Sequence, residues 1–174
     1  MRYIFIILLT ISLNHCTTPA IISSEVKEIS IIPQPSKVEK GNDAFTFGNH
    51  VNVYVTSDVQ KLIVQTFFTD LSREYPLKAH INKFDENSEI RLATNDSLAN
   101  EEYILDIDQE GIEITASSSG AGFYYAFQTL RQMLPLKHFN ESEGANLEIS
   151  LPLVSIQDSP KFEWRGFMLD VSRH

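Results

Sequence analysis

Two periods of apolar and polar residues run along this 174-residue chain, and they mark its elements. Val51-Asn52-Val53-Tyr54-Val55 alternates every second residue and is rich in β-branched side chains, which predicts a strand. From Ser57 to Arg73 the period lengthens to that of a helix. Val59, Leu62, Ile63, Phe67 and Leu71 share one face, and Ser57 with Gln60 three residues on fits a capping box. Pro76 bounds that helix. Strand patterns return at Glu89 to Ala93, Tyr103 to Asp108 and Gly111 to Ala116. The last two join across Asp108-Gln109-Glu110-Gly111 as a hairpin. Ser119 to Leu134 is helical again. Its stripe of Phe123, Ala126, Phe127, Leu130, Met133 and Leu134 needs a surface to bury it. Leu147 to Ser150 and Leu153 to Ile156 read as short strands. Ile29 to Ile32 reads as another, cut off by Pro33-Gln34-Pro35. Residues 17–27 read as a tether and residues 136–146 as a polar loop. Strands outnumber helices, and the helices lie far apart in sequence. The pattern predicts an α+β fold: an antiparallel-rich sheet with both helices packed on one face.

The amino-terminal end follows neither period. Met1-Arg2 gives a short positive start, and Tyr3 to Leu13 is an apolar run of signal-peptide length, too short to span a bilayer as a helix. Two cleavage points fit. A cut before Cys16 gives a lipoprotein, with Leu13 at the aliphatic position three residues earlier and a bulky His15 beside the cysteine. A cut after Ala20 gives ordinary secretion. Residues 1–20 therefore read as an export signal. The expected locations are the periplasm, the outer membrane as a lipoprotein, or outside the cell.

Composition narrows the function. Apolar residues make up 43% and charged residues 21%, the profile of a folded protein. The formal net charge of −9 disfavours phosphate backbones, so nucleic acid is excluded as a partner. Contact with a membrane is expected only through a lipid on Cys16. One cysteine excludes an internal disulfide or a CxxC site. Gly120-Ala121-Gly122 opens a helix but lacks both the Lys-Ser/Thr of a phosphate loop and the dinucleotide spacing, so it reads as a tight entry packed on the sheet. The acidic pairs Asp85-Glu86 and Glu101-Glu102 lie in polar, turn-like stretches and read as solvated surface.

Three stretches resemble a known family. Ile31-Ile32-Pro33-Gln34-Pro35-Ser36-Lys37-Val38-Glu39 is similar to the opening of the small domain that precedes the barrel of family 20 β-N-acetylhexosaminidases. Tyr103–Asp106, Gly111–Ile114 and the helix Tyr125-Ala126-Phe127-Gln128-Thr129-Leu130-Arg131-Gln132-Met133 resemble the hairpin and helix of that domain. Arg165-Gly166-Phe167-Met168-Leu169-Asp170-Val171-Ser172-Arg173-His174 resembles the first strand of the catalytic barrel. A whole (β/α)₈ barrel takes roughly 250 residues, so only its beginning fits here. The expected organisation is a signal over 1–20, an α+β domain over 21–157 and the start of an incomplete (β/α)₈ barrel over 158–174.

The resemblance implies hydrolysis of terminal N-acetylhexosamine from glycans with retention, assisted by the substrate's own acetamido oxygen. A glutamate would act as general acid and base and a neighbouring aspartate would orient the acetamido group. That pair is expected far downstream, so no catalytic residue is expected in this chain, and no cofactor or metal is required. Arg173, just past the end of the strand, is implied to hold the 3- and 4-hydroxyls of the sugar, a task suited to the guanidinium fork. Asp170 within the strand reads as orienting Arg173 or a backbone turn. His174 reads as a packed residue, and Arg165, ahead of the strand, as a structural ion pair at the barrel floor. The alternative from another class is a non-enzymatic, surface-anchored module or a pseudo-enzyme remnant.

Overall fold

A computed structural model describes residues 20–23, 29–135, 147–162 and 164–169. Among them eight strands form one sheet. The strands are β1 (Ala20–Ser23), β2 (Lys37–Gly48), β3 (His50–Tyr54), β4 (Lys78–Asn82), β5 (Ile90–Thr94), β6 (Tyr103–Ile107), β7 (Ile112–Ala116) and β8 (Leu147–Asp158). The helices are α1 (Asp58–Leu71) and α2 (Ala121–Met133). The order across the sheet is β1-β8-β6-β7-β5-β3-β4, with β2 also pairing β8.

The sheet is mixed, which corrects the antiparallel-rich expectation. β6–β7, β6–β8 and β2–β8 run antiparallel, whereas β1–β8, β3–β4, β3–β5 and β5–β7 run parallel. The physical reason is the connection between β3 and β4. Helix α1 carries the chain back to the start of the sheet, and the returning strand then lies parallel to its predecessor. Lys78 to Asn82 is short and half exposed, without a run of large apolar residues, so its pattern does not announce the strand.

Both helices cover one face. Thr94 and Ala116 are register partners on β5 and β7. Gln60 of α1 donates to Thr94 Oγ1 at 3.1 Å, and Gly122 of α2 sits against Ala116. Phe67 of α1 and Phe127 of α2 meet with ring centroids 4.6 Å apart. Beneath them Val53, Leu105, Ile112 and Ile114 are fully buried. The sheet's alternation sends the intervening Asn52, Ile104, Asp106 and Glu113 to the half-exposed opposite face.

Helix α1 begins as its sequence requires. Ser57 accepts from the Gln60 amide while the Gln60 side chain accepts from the Ser57 amide, a complete capping box. The buried face, however, is Gln60, Val64, Phe67, Phe68 and Leu71. Leu62 is 64% exposed, and Val59 is also exposed. The stripe on α2 is buried as its period implies.

β8 is one strand of 12 residues, not two short ones. Pro152 is tolerated because β2 is irregular between Lys40 and Ala44, opposite it. Ile29 to Ile32 forms no strand. A cis Ile32–Pro33 bond turns the chain there. Residues 164–169 pair with no strand of this sheet, and Trp164, Phe167, Met168 and Leu169 are exposed, as a barrel strand without its neighbours would leave them. Asp170 to His174 lie outside the described residues.

Candidate functional site

One cleft of about 630 Å³ opens where the Ile31–Ser36 turn, the outer side of α2 and the end of β8 converge. Its apolar wall is Ile31, Ile32, Pro33 and Phe162, and its polar rim includes Glu101, Tyr125, Asp158 and Arg165.

Hydrogen bonds that cross the cleft hold its shape. Gln132 Oε1 on α2 accepts from the Ile32 amide at 2.9 Å, tying the proline turn to the helix. Asp158 Oδ1 at the end of β8 accepts from both the amide and the hydroxyl of Ser36, at 3.0 and 2.9 Å. At the floor, the Tyr103 and Thr129 hydroxyls share a buried hydrogen bond of 2.7 Å. Burial holds the Tyr103 phenol above its ordinary pKa.

The rim is a three-residue cluster. Arg165 Nη2 donates to Glu101 Oε2 at 2.7 Å and to the Tyr125 hydroxyl at 3.3 Å. The Tyr125 hydroxyl donates to Glu101 Oε1 at 3.4 Å, and the guanidinium lies 5.5 Å from the Tyr125 ring centroid. Glu101 is therefore not simply solvated surface. Nor is Glu102, whose Oε1 accepts from Gln157 Nε2 at 2.9 Å and whose Oε2 accepts from the Ala99 amide at 3.1 Å. A carboxylate's partners across the fold leave no trace in its local sequence, so neither role was readable there.

The other acidic pair shapes a turn. Asp85 Oδ1 accepts from the Asn87 amide at 3.0 Å, and its carbonyl accepts from Ser88 Oγ at 2.8 Å. The cleft's own carboxylates are likewise committed to structural partners. Among the described residues no group of three or more His, Cys, Asp or Glu is placed to hold a metal ion.

Of the site residues that the resemblance to family 20 singled out, Arg165 falls within the described residues, where it pairs with Glu101. Arg173, Asp170, His174 and Cys16 lie outside them.

The fold and cleft together define a two-layer α+β domain. The chain belongs to glycosyl hydrolase family 20: residues 28–159 match the model of "Glycosyl hydrolase family 20, domain 2". It is 32% identical over 152 residues to a β-hexosaminidase of Porphyromonas gingivalis, covering 85% of this chain and 19% of that protein. A β-hexosaminidase of Vibrio furnissii is 31% identical over 155 residues, covering 87% and 23%. Among solved structures, the exo-β-N-acetylglucosaminidase of Vibrio harveyi superposes with a TM-score of 0.68 at 30% identity, over 83% of this chain and 21% of that one. The N-acetyl-β-hexosaminidase of Streptomyces plicatus superposes with a TM-score of 0.67 at 27% identity, over 83% and 29%. The chain thus spans about a fifth of the length of the curated relatives it matches.

Proposed function

We propose that this chain is the leading part of an exported β-N-acetylhexosaminidase that removes terminal N-acetylhexosamine from glycans with retention. The observation that carries the reading is the family match over residues 28–159, reinforced by relatives and solved neighbours named for that activity. The substrate's acetamido oxygen attacks the anomeric carbon, a glutamate donates and then recovers the proton, and an adjacent aspartate orients the acetamido group. That acid pair lies outside this chain. Arg173 grips two sugar hydroxyls through its guanidinium, and Asp170 holds Arg173 in place. His174 packs beside them, and Arg165 serves as a structural anchor. Residues 1–20 direct export, and a lipid on Cys16 tethers the product to a membrane surface.

The test uses a chromogenic N-acetylglucosaminide. The 174-residue chain alone should show no turnover, and the enzyme expressed from the whole reading frame should hydrolyse it. In that enzyme Arg173→Lys should lower kcat/KM at least tenfold. Turnover by the isolated chain, or a whole-frame product with none, refutes the reading.

A further inference from the structure

We propose that the turn leaving β5 is a glycan-attachment site, with the side-chain nitrogen of Asn95 as the acceptor. This rests on the export reading above, because the lipid-linked sugar donor and the transferase that uses it work at the membrane an exported chain crosses.

Three observations carry it. First, Asn95-Asp96-Ser97 is an asparagine followed by a residue other than proline and then a serine, the pattern of an N-linked acceptor. A second copy of the pattern, Asn140-Glu141-Ser142, lies outside the described residues. Second, the fold displays the first copy. β5 ends at Thr94, and Asn95, Asp96 and Ser97 are all exposed in the turn that follows. The turn is held at both ends: the Asn95 amide donates to the Ala116 carbonyl at 2.9 Å, and the Asn95 carbonyl accepts from the Leu98 amide at 3.2 Å. Third, the groups the reaction needs are free, and their neighbours are committed elsewhere. Asn95 Oδ1 accepts from the Ser97 amide at 3.0 Å, which orients the carboxamide. Asp96 Oδ1 accepts from the Ser118 amide at 2.8 Å, which draws that carboxylate towards α2. Among the described residues neither Asn95 Nδ2 nor Ser97 Oγ makes a hydrogen bond.

The step is a glycosyl transfer. Asn95 Nδ2 bonds to the anomeric carbon of an oligosaccharide carried on a polyprenyl pyrophosphate. The bond from that carbon to the pyrophosphate oxygen breaks, the polyprenyl pyrophosphate departs, and Nδ2 gives up one proton. The Ser97 hydroxyl is the part of the motif that the transferase reads. The sheet leaves room for the product. β1 runs parallel to β8, β8 and β7 both run antiparallel to β6, and β7 runs parallel to β5. The start of β1 and the end of β5 therefore lie at opposite ends of the sheet. A sugar chain on Asn95 stands at the far end from the point where the amino-terminal segment enters the fold, and it covers an exposed turn of the kind proteases cut.

The test recovers the protein from the exported fraction of the organism that carries the gene. The peptide containing Asn95 is weighed before and after an N-glycosidase acts on it in heavy-oxygen water. That peptide should carry a sugar chain, and release should leave a labelled aspartate at position 95. Ser97→Ala should abolish the modification and Ser97→Thr should keep it. Made without the transferase, both variants should melt within about 3 °C of the wild type, because the turn is held by the Ser97 amide and not by its hydroxyl. An exported protein whose Asn95 peptide is wholly bare overturns the site, and if it hydrolyses the N-acetylglucosaminide it leaves the functional reading standing. A modification that survives Ser97→Ala overturns the site too. A sugar that alkaline β-elimination strips from Ser97 assigns the turn to O-linked attachment and overturns Asn95 as the acceptor. Protein found only inside the cell, with residues 1–20 intact, overturns the export reading, and this proposal falls with it.

Discussion

The Arg165 guanidinium and the Glu101 carboxylate meet at 2.7 Å across 64 residues of sequence. Glu101 stands in the loop before β6, and Arg165 is in the exposed segment after β8. The pair fixes the direction in which the chain leaves the domain. Both side chains are about half exposed, so the pair adds little to global stability, on the order of 0–1 kcal/mol. Glu101→Gln should accordingly leave the melting temperature within a degree or two. It should still speed amide exchange in residues 164–169, read by mass spectrometry. Unchanged exchange in that segment would remove the anchoring role.

Gly122 marks the closest approach of α2 to the rest of the domain. A Cβ there would lie 2.2 Å from the Glu102 carbonyl oxygen and 2.8 Å from the Ala116 Cβ. Neither neighbour can yield without moving a strand or a loop. Gly122→Ala should destabilise by about 1–3 kcal/mol despite its better helix propensity, because overpacking outweighs the propensity gain. Gly120, at φ +91, tolerates a side chain equally badly. Denaturant unfolding of the two variants checks this, and a neutral Gly122→Ala would show that the helix can slide outward.

How much of this was legible depends on range. The capping box, the 103–116 hairpin and the buried stripe of α2 are local patterns, and each forms where its residues stand. β4 and the full length of β2 and β8 are decided by their partners. Lys37 to Gly48 is mostly exposed and carries no period of its own, yet it becomes a strand because β8 offers it a ladder. The cleft is less legible still. Ile32, Ser36, Glu101, Asp158 and Arg165 are spread along most of the chain, and only the folded sheet brings them together. The Arg165-to-Met168 stretch, by contrast, carries a family resemblance with no local structure behind it.

Helix α1 separates what its period implies from what it buries. Leu62 lies on the apolar face drawn from the sequence and is exposed, while Gln60 is almost fully buried. Gln60 accepts from the Thr56 and Ser57 amides at 2.7 and 3.3 Å and donates to Thr94 at 3.1 Å. Gln60→Ala strands those partners and removes half of the cap, so a loss of about 1–3 kcal/mol is expected. Leu62→Ala should stay within about 0.5 kcal/mol, as surface substitutions do. Chemical denaturation of the two variants side by side decides the matter. A larger loss at Leu62 would mean that this face is covered.

Tyr103 and Tyr75 make the fold sensitive to base. Burial holds both phenols above their ordinary pKa, and for Tyr75 the neighbouring Glu74 adds to the effect while Arg131 opposes it. In the unfolded chain both titrate near 10. A pKa raised by folding means that the native state keeps its proton longer than the unfolded state does. The stabilisation is therefore complete below about pH 10 and is lost as pH rises through the native values. Melting temperatures should be flat from pH 8 to about 9.5 and fall above it, with tyrosinate absorbance appearing together with unfolding. Tyr103→Phe should soften that alkaline fall. At neutral pH it should cost about 1–2 kcal/mol, because Thr129 then loses its buried partner. Tyrosinate absorbance accounting for all six tyrosines while the fold remains intact would show that the two phenols are free to ionise in place.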